Sequence, residues 1–218
     1  LVNQTLPKHP AGIRRDYGDL SLTETEALAS PFQQFEHWFS DARVHEHDDP
    51  TAMVLSTVDA KGHPDARVVL LKGLASDAFV FYTNYDSVKS MEIQAVPYVA
   101  LTFYWSKMAR QVRIRGSVQR VSEAQSDAYF ATRPVLSQLS ALASSQSQAL
   151  ESREILEQRL EDLKLEYQHQ PVPRPAHWGG FAVTPSEMEF WQGRDNRLHD
   201  RIHYTRQADQ WLKRRLAP

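Results

Sequence analysis

The side chains able to do chemistry fall into four groups, each rich in cations, hydroxyls or aromatic rings. Arg67-Val68-Val69-Leu70-Leu71-Lys72 is an apolar run with a cation at each end. The two cations lie five residues apart, so a regular strand projects them to opposite faces. Tyr82-Thr83-Asn84 is followed by Ser87 and Lys89, near an expected helix start. Hydroxyls, an ammonium and free backbone N–H groups at a helix N-terminus suit a phosphate dianion. Tyr129, Arg133 and Ser137 recur four apart. On one continuous helix they share a side and can cup a phosphate, although Pro134 interrupts the spacing. Gln146-Ser147 follows in a Ser/Gln-rich loop. Last comes Trp191-Gln192-Gly193 with Arg197-Leu198-His199-Asp200-Arg201. In extended backbone Arg197, His199 and Arg201 project the same way. A structural sheet edge seldom stacks positive groups like this without an anionic partner. The other three groups also fit plain structural readings: a buried strand with solvated ends, a Ser-capped turn and a solvent-facing helical stripe.

Much other chemistry is excluded. The 218 residues contain 0 Cys, so disulfides, thiolate metal sites and cysteine nucleophiles are absent. Lys and Arg total 25 against 27 Asp and Glu, a net charge of -2 without the basic footprint of a general nucleic-acid binder. No apolar run approaches the ~18 residues that span a bilayer, and the expected compartment is the cytoplasm. There is no Walker loop, no G-x-G-x-x-G and no G-x-S-x-G. His45 and His47 beside Asp48 and Asp49, and the His199/His203 pair, lack a third-ligand pattern, so no metal is expected. What remains points to anionic small-molecule ligands, one or two of them.

The elements that must position these groups are legible in outline. The polar stretch to about Ser30 has no apolar period and reads as a mobile arm or lid over residues 1–30, with Arg14-Arg15-Asp16-Tyr17 as its one concentrated feature. Pro31 opens a helix with Phe32, Phe35, Trp38 or Phe39, and Ala42 at helical spacing. Strands are predicted over Met53 to Val58, Arg67 to Lys72, Phe79 to Asn84, Tyr98 to Trp105 and Gln111 to Val121. In the last, Val112, Ile114 and Val118 share one face and Gln111, Arg113 and Arg115 the other. Ser122 caps a helix that Pro134 breaks. A second helix, Glu151 to Tyr167, carries Leu156, Leu160, Leu163 and Tyr167 on one stripe. A Pro171/Pro173/Pro175 linker follows, then short strands at Phe181 to Val183 and Met188 to Gln192, and a closing hairpin from Tyr204 to Leu216. Closely spaced antiparallel strands favour a barrel over a doubly wound sheet, in one domain over residues 31–218.

Arg67-Val-Val-Leu-Leu-Lys72, Phe81-Tyr-Thr-Asn84, Arg110-Gln-Val-Arg-Ile-Arg-Gly116, His177-Trp-Gly-Gly-Phe181, Phe190-Trp-Gln-Gly193, Arg197-Leu-His-Asp-Arg201 and Arg215-Leu-Ala-Pro218 together resemble the pyridoxine (pyridoxamine) 5′-phosphate oxidase family. The resemblance runs in family order from about Arg14 to the last residue. It implies a mainly β fold with flanking helices, the FMN-binding split β-barrel, and a homodimer with FMN at the subunit interface. It also implies oxidation of pyridoxine or pyridoxamine 5′-phosphate to pyridoxal 5′-phosphate by O2. Carried over by position, the FMN set is Arg67, Val68, Val69, Leu70, Leu71, Lys72, Tyr82, Thr83, Lys89, Gln111, Gln146, Ser147, Trp191 and Arg201. The substrate set is Arg14, Arg15, Asp16, Tyr17, Lys72, Tyr129, Arg133, Ser137, Arg197, Leu198 and His199, with Arg197 and His199 catalytic. This chain departs from the family pattern at Val88, where Ser-Arg-Lys becomes Ser87-Val88-Lys89. It departs again at Val135, usually basic, and at Ser140, usually Gly. Two other readings use the same residues: a split-barrel flavin reductase with another substrate, and a non-catalytic pyridoxal phosphate carrier.

Overall fold

The computed structural model describes residues 17–75 and 77–218. Burial alternates along β6 (Arg110–Arg120): Val112, Ile114 and Val118 are buried while Arg113, Arg115 and Ser117 are exposed. That period of two gives the sheet one apolar face and one charged face. β6 sits centrally, between β5 (Tyr98–Trp105) and β7 (Trp178–Gln192), in an antiparallel sheet. The main path adds β1 (Ala52–Val58), β2 (Pro64–Leu70), β3 (Gly73–Ala75) and β4 (Ala78–Asn84) as β2-β1-β5-β6-β7-β4-β3, with two further strands branching from β7.

The two ends of that order explain the curvature. β2 and β3 are the outermost strands, yet only Leu71 and Lys72 separate them in the chain. The sheet must therefore curl until its edges meet. The Lys72 N–H donates to the Val80 carbonyl at 2.8 Å and the Leu71 N–H to the Thr51 carbonyl at 2.9 Å, stitching the seam. The antiparallel, barrel-like arrangement expected from the strand spacing is the one observed.

The curled apolar face is filled by rings. α1 (Pro31–His45) begins with Pro31 in its first turn, and the Ser30 hydroxyl accepts from the Gln33 N–H. Its Phe35 is fully buried, with ring centroids 4.9 Å from Phe79 and 5.1 Å from Phe103, and Trp38 packs edge-on against Phe190 at 5.3 Å. Arg110 is buried here because it is paired: it bonds Asp41 at 2.7 Å and Gln192 at 3.0 Å, and its guanidinium lies 4.5 Å over Trp38.

Several expectations are corrected. Phe181 to Val183 and Met188 to Gln192 are not two strands but parts of the single 15-residue β7. Its register against β6 shifts between Arg115 and Gly116, and this irregularity takes in Pro185 without ending the strand. The closing hairpin begins earlier than Tyr204, as β8 (Asp200–Gln207) and β9 (Gln210–Arg215). Leu22 and Ala27, placed by their polar surroundings in an arm outside the core, are both 4% exposed and belong to the core. Lys213 donates to the carbonyls of Glu24 and Ala27, and Tyr204 to that of Leu28, so β8 and β9 hold this segment down. The expected helical stripe lies on α5 (Arg153–Glu166), but none of that helix is fully buried, because it packs chiefly on the short α4 (Val135–Ala143). Among the described residues no helix is long and apolar enough to cross a membrane.

Candidate functional site

A cleft of about 730 Å³ opens where the barrel seam meets the helices. β2 contributes Val68, Val69 and Leu70, the seam Lys72, and β4 Tyr82 and Thr83. Lys89 enters from α2 (Val88–Ala95), Tyr129 from α3 (Glu123–Thr132), Arg133 from the helix break, Ser137 from α4 and Gln146 from the loop beyond. Three cations line the cleft, Lys72, Lys89 and Arg133, with no carboxylate among the lining residues. Such a cavity selects anions.

Local sequence explains how each group is aimed. Tyr82 can lie flat on β7 because its cross-strand partner is Gly180, where a Cβ would come within 2.7 Å of the Tyr82 ring. Tyr129, Arg133 and Ser137 do not share one helix: α3 stops at Thr132, Arg133 caps it, and Pro134 is the N-cap of α4. The break still brings all three to the cleft. The Gln138 amide closes it by donating to the Phe130 and Arg133 carbonyls at 3.2 and 2.9 Å. Arg133 Nη1 is buried and has no hydrogen-bond partner. Burial lowers the Arg133 pKa and raises that of Tyr129, which remains a neutral phenol able to donate. Lys89 Nζ and Thr83 Oγ1 converge on the Gln146 amide oxygen at 2.9 and 3.2 Å. Burial, and then the charge of Arg67, lower the Lys89 pKa.

Not every predicted residue is there. Arg67 lies outside the cleft lining, on Thr57, Glu92 at 3.0 Å and Asp65 at 2.6 Å. Leu71 is a core residue, 6% exposed. Ser147 sits beside the cleft at a left-handed φ of 69°, its hydroxyl accepting the Val88 N–H at 3.4 Å.

The remaining predicted residues form a second group on the charged outer face of the sheet. Tyr104, Gln111, Trp191 and Arg201 stand opposite one another across β5, β6, β7 and β8, so they form one row on one face. None of them lines the cleft of the same chain. Above the row, Tyr17, Trp191 and His199 make a ring cluster: Tyr17 lies 5.9 Å from Trp191 and 5.1 Å from His199, and Trp191 lies 4.7 Å from His199. Arg14, Arg15 and Asp16 lie outside the described residues.

The common projection expected of Arg197, His199 and Arg201 is corrected. Asn196 and Arg197 have positive φ values of 55° and 62°, so the backbone turns instead of extending. Arg197 and Leu198 are exposed on that turn. His199 folds back, its Nδ1 accepting the Arg194 N–H at 3.0 Å, and burial followed by the nearby Arg197 charge lowers its pKa. The anionic partner that the stacked cations call for is, at Arg201, a side chain of the same sheet: Glu189 accepts from it at 3.1 and 2.9 Å. Glu189 also meets Arg113 at 3.5 Å. Among the described residues no three His, Asp or Glu side chains group as a metal site. Sequence reasoning missed Glu189 and the cleft wall Trp178, whose one local signal is the Gly179-Gly180 pair after it.

Residues 40–167 match the pyridoxamine 5′-phosphate oxidase family, and residues 178–218 match the pyridoxine 5′-phosphate oxidase C-terminal dimerisation region. A pyridoxine/pyridoxamine 5′-phosphate oxidase of Legionella pneumophila (strain Lens) is 60% identical over 208 residues, covering 95% of this chain and 97% of the relative. The solved structure of PhzG from Burkholderia lata 383, in complex with tetrahydrophenazine-1-carboxylic acid, superposes with a TM-score of 0.87 at 27% identity, over 93% of this chain and 100% of that one. A pyridoxamine 5′-phosphate oxidase-related, FMN binding protein from Nostoc punctiforme shares the fold, with a TM-score of 0.70 at 18% identity over 87% and 98% of the two chains. The curled antiparallel sheet is thus the split barrel, and the chain belongs to the pyridoxamine 5′-phosphate oxidase family of oxidoreductases.

Proposed function

We propose that this protein oxidises pyridoxine 5′-phosphate and pyridoxamine 5′-phosphate to pyridoxal 5′-phosphate, using FMN and O2. The observation that carries the reading is the cleft itself, with three cations, no carboxylate and a buried guanidinium nitrogen that has no hydrogen-bond partner. Two phosphates are the natural counter-charges, one on the cofactor and one on the substrate. Lys89, Thr83 and Gln146 would hold the FMN phosphate, and Tyr129, Arg133 and Ser137 that of the substrate. Lys72 stands on the substrate side as well.

The cleft and the Gln111/Trp191/Arg201 row lie apart within one chain, and the row belongs largely to the segment similar to a dimerisation region. A second copy that lays its row across the cleft completes the site. Trp191 and Arg201 of one copy would then help to hold the flavin of the other. When bound, FMN would supply the redox chemistry, as the two-electron acceptor for the substrate with O2 as the terminal oxidant, reduced to H2O2. The protein's part is placement. Arg197 and the neutral His199 hold the pyridine 3-oxygen while C4′ becomes an aldehyde, or an imine that water converts to aldehyde and ammonia. Fixing the phosphate at one end and the ring oxygen at the other leaves C4′ one position.

The test is the visible spectrum of purified protein before and after pyridoxamine 5′-phosphate is added without oxygen. Flavin absorbance that bleaches, returns with air and yields H2O2 supports the oxidase. Bound flavin that the substrate never bleaches removes this reading, and bleaching only by a nicotinamide would favour a reductase.

A further inference from the structure

Trp178 is placed by none of the cleft's direct duties, yet it organises one wall. It opens β7 opposite Asn84, two residues along from Tyr82, so its ring shares the sheet face that Tyr82 covers. Tyr129, Tyr82 and Trp178 are near-parallel: Tyr82 lies 3.9 Å from Tyr129 and 5.5 Å from Trp178, with interplanar angles of 13° and 11°. The Arg133 guanidinium lies 4.6 Å over the Trp178 ring. Trp178 is itself fixed, because Arg174 donates to its carbonyl at 2.7 Å and ion-pairs with Asp127 at 2.5 Å.

A guanidinium can be held by hydrogen bonds or by an aromatic face. Hydrogen bonds would occupy the donors that a phosphate needs. An aromatic face leaves the in-plane N–H groups open, and Arg133 Nη1 is buried without a partner. Resting on the proposed function above, we propose that Trp178 is a positioning residue. It holds Arg133 against its ring face and leaves the guanidinium donors for the substrate phosphate.

The test uses FMN-loaded protein and two probes, pyridoxamine 5′-phosphate in steady-state kinetics and inorganic phosphate in calorimetry. Trp178→Leu should raise the substrate KM and the phosphate Kd roughly tenfold while kcat at saturation stays within about twofold. Trp178→Phe, which keeps a ring face, should recover most of both. In an Arg133→Ala background Trp178→Leu should add little, since its partner is gone. Where Trp178→Leu does not fold, Trp178→Met carries the same expectation with closer volume. The proposal is overturned by unchanged KM and Kd, by Phe behaving like Leu, or by equal losses with and without Arg133. Phosphate affinity that depends on Trp178 as expected, in a wild-type protein that never oxidises the substrate, would overturn the functional reading alone.

Discussion

His199 Nδ1 accepts the backbone N–H of Arg194 at 3.0 Å, so in the neutral ring the proton sits on Nε2. Protonation would turn Nδ1 into a second donor facing a donor. Burial and the nearby Arg197 charge hold the pKa below the ordinary 6.5, so the bonded neutral ring is the form at physiological pH. Activity that needs this form is kept at pH well above the lowered value and falls as pH drops through it. The kcat/KM profile should therefore have an acid limb below 6.5. Arg197→Ala should move that limb upward, whatever it does to the height of the profile. A limb that stays in place removes the coupling between the two residues.

Arg197→Ala and His199→Ala should each lower turnover by roughly 10²–10³, the cost of a transition-state contact of ~2–4 kcal/mol. Neither residue lines the cleft proposed to hold the FMN phosphate, so flavin content should match the wild type. Stopped-flow flavin reduction with the absorbance ratio of flavin to protein measures both. Wild-type turnover in both variants takes them out of the active site.

These two residues also mark where the sequence stopped being readable. The strand expected over Tyr98 to Trp105 is β5 to the residue, because eight positions of β-branched and aromatic content mark a strand. The turn at Asn196 and Arg197 reads as extended in the sequence, because Arg197-Leu-His-Asp-Arg201 carries no turn residue at its start and the one signal, Asn196, stands just before it. The sequence pattern gives two short strands where β7 runs on through Pro185, and only the paired strand reveals the register shift that admits it. The grip of Trp178 on Arg133 joins residues 45 positions apart, and no local pattern carries that. The cation–hydroxyl groups were legible as residue types. Their division between a cleft and an outer face was not, because it follows from how far the sheet curls.

Gly180 tests the packing that aims Tyr82. A Cβ there would lie 2.7 Å from both the Tyr82 ring and Val121 Cγ2, and the Tyr82 ring is already stacked on Tyr129 and Trp178. Gly180→Ala should cost about 1–3 kcal/mol in denaturant unfolding, as overpacking does. It should also raise the substrate KM by tilting the stack. Stability equal to wild type would mean the ring swings aside freely.

If the outer row of one copy completes the cleft of another, flavin binding and self-association are linked. Sedimentation across a dilution series should show FMN shifting the monomer–dimer equilibrium toward the dimer. Trp191→Ala, at the centre of the row, should weaken that shift. A monomer that takes up FMN stoichiometrically would end the shared-site reading.

Val88 offers the last prediction, because the family pattern has an arginine where this chain has valine. Val88 is the first residue of α2 and 40% exposed. Its N–H reaches the Ser147 hydroxyl at 3.4 Å, and the next residue, Lys89, bonds Gln146 at the cleft wall. A long cation at position 88 would therefore enter beside the group proposed to hold the FMN phosphate. A hydrogen bond to a charged group contributes roughly 1.5–3 kcal/mol net, and exposure reduces it. Val88→Arg should thus tighten FMN binding about tenfold, equivalent to ~1.4 kcal/mol. Added salt should erode the gain, since the new pair sits near water. Riboflavin, which has no phosphate, should bind both forms alike. Titration of apo-protein with FMN and riboflavin at two ionic strengths separates these effects. Unchanged FMN affinity, or an equal gain for riboflavin, would mean that position 88 faces away from the phosphate and that Lys89 binds it without help from the preceding residue.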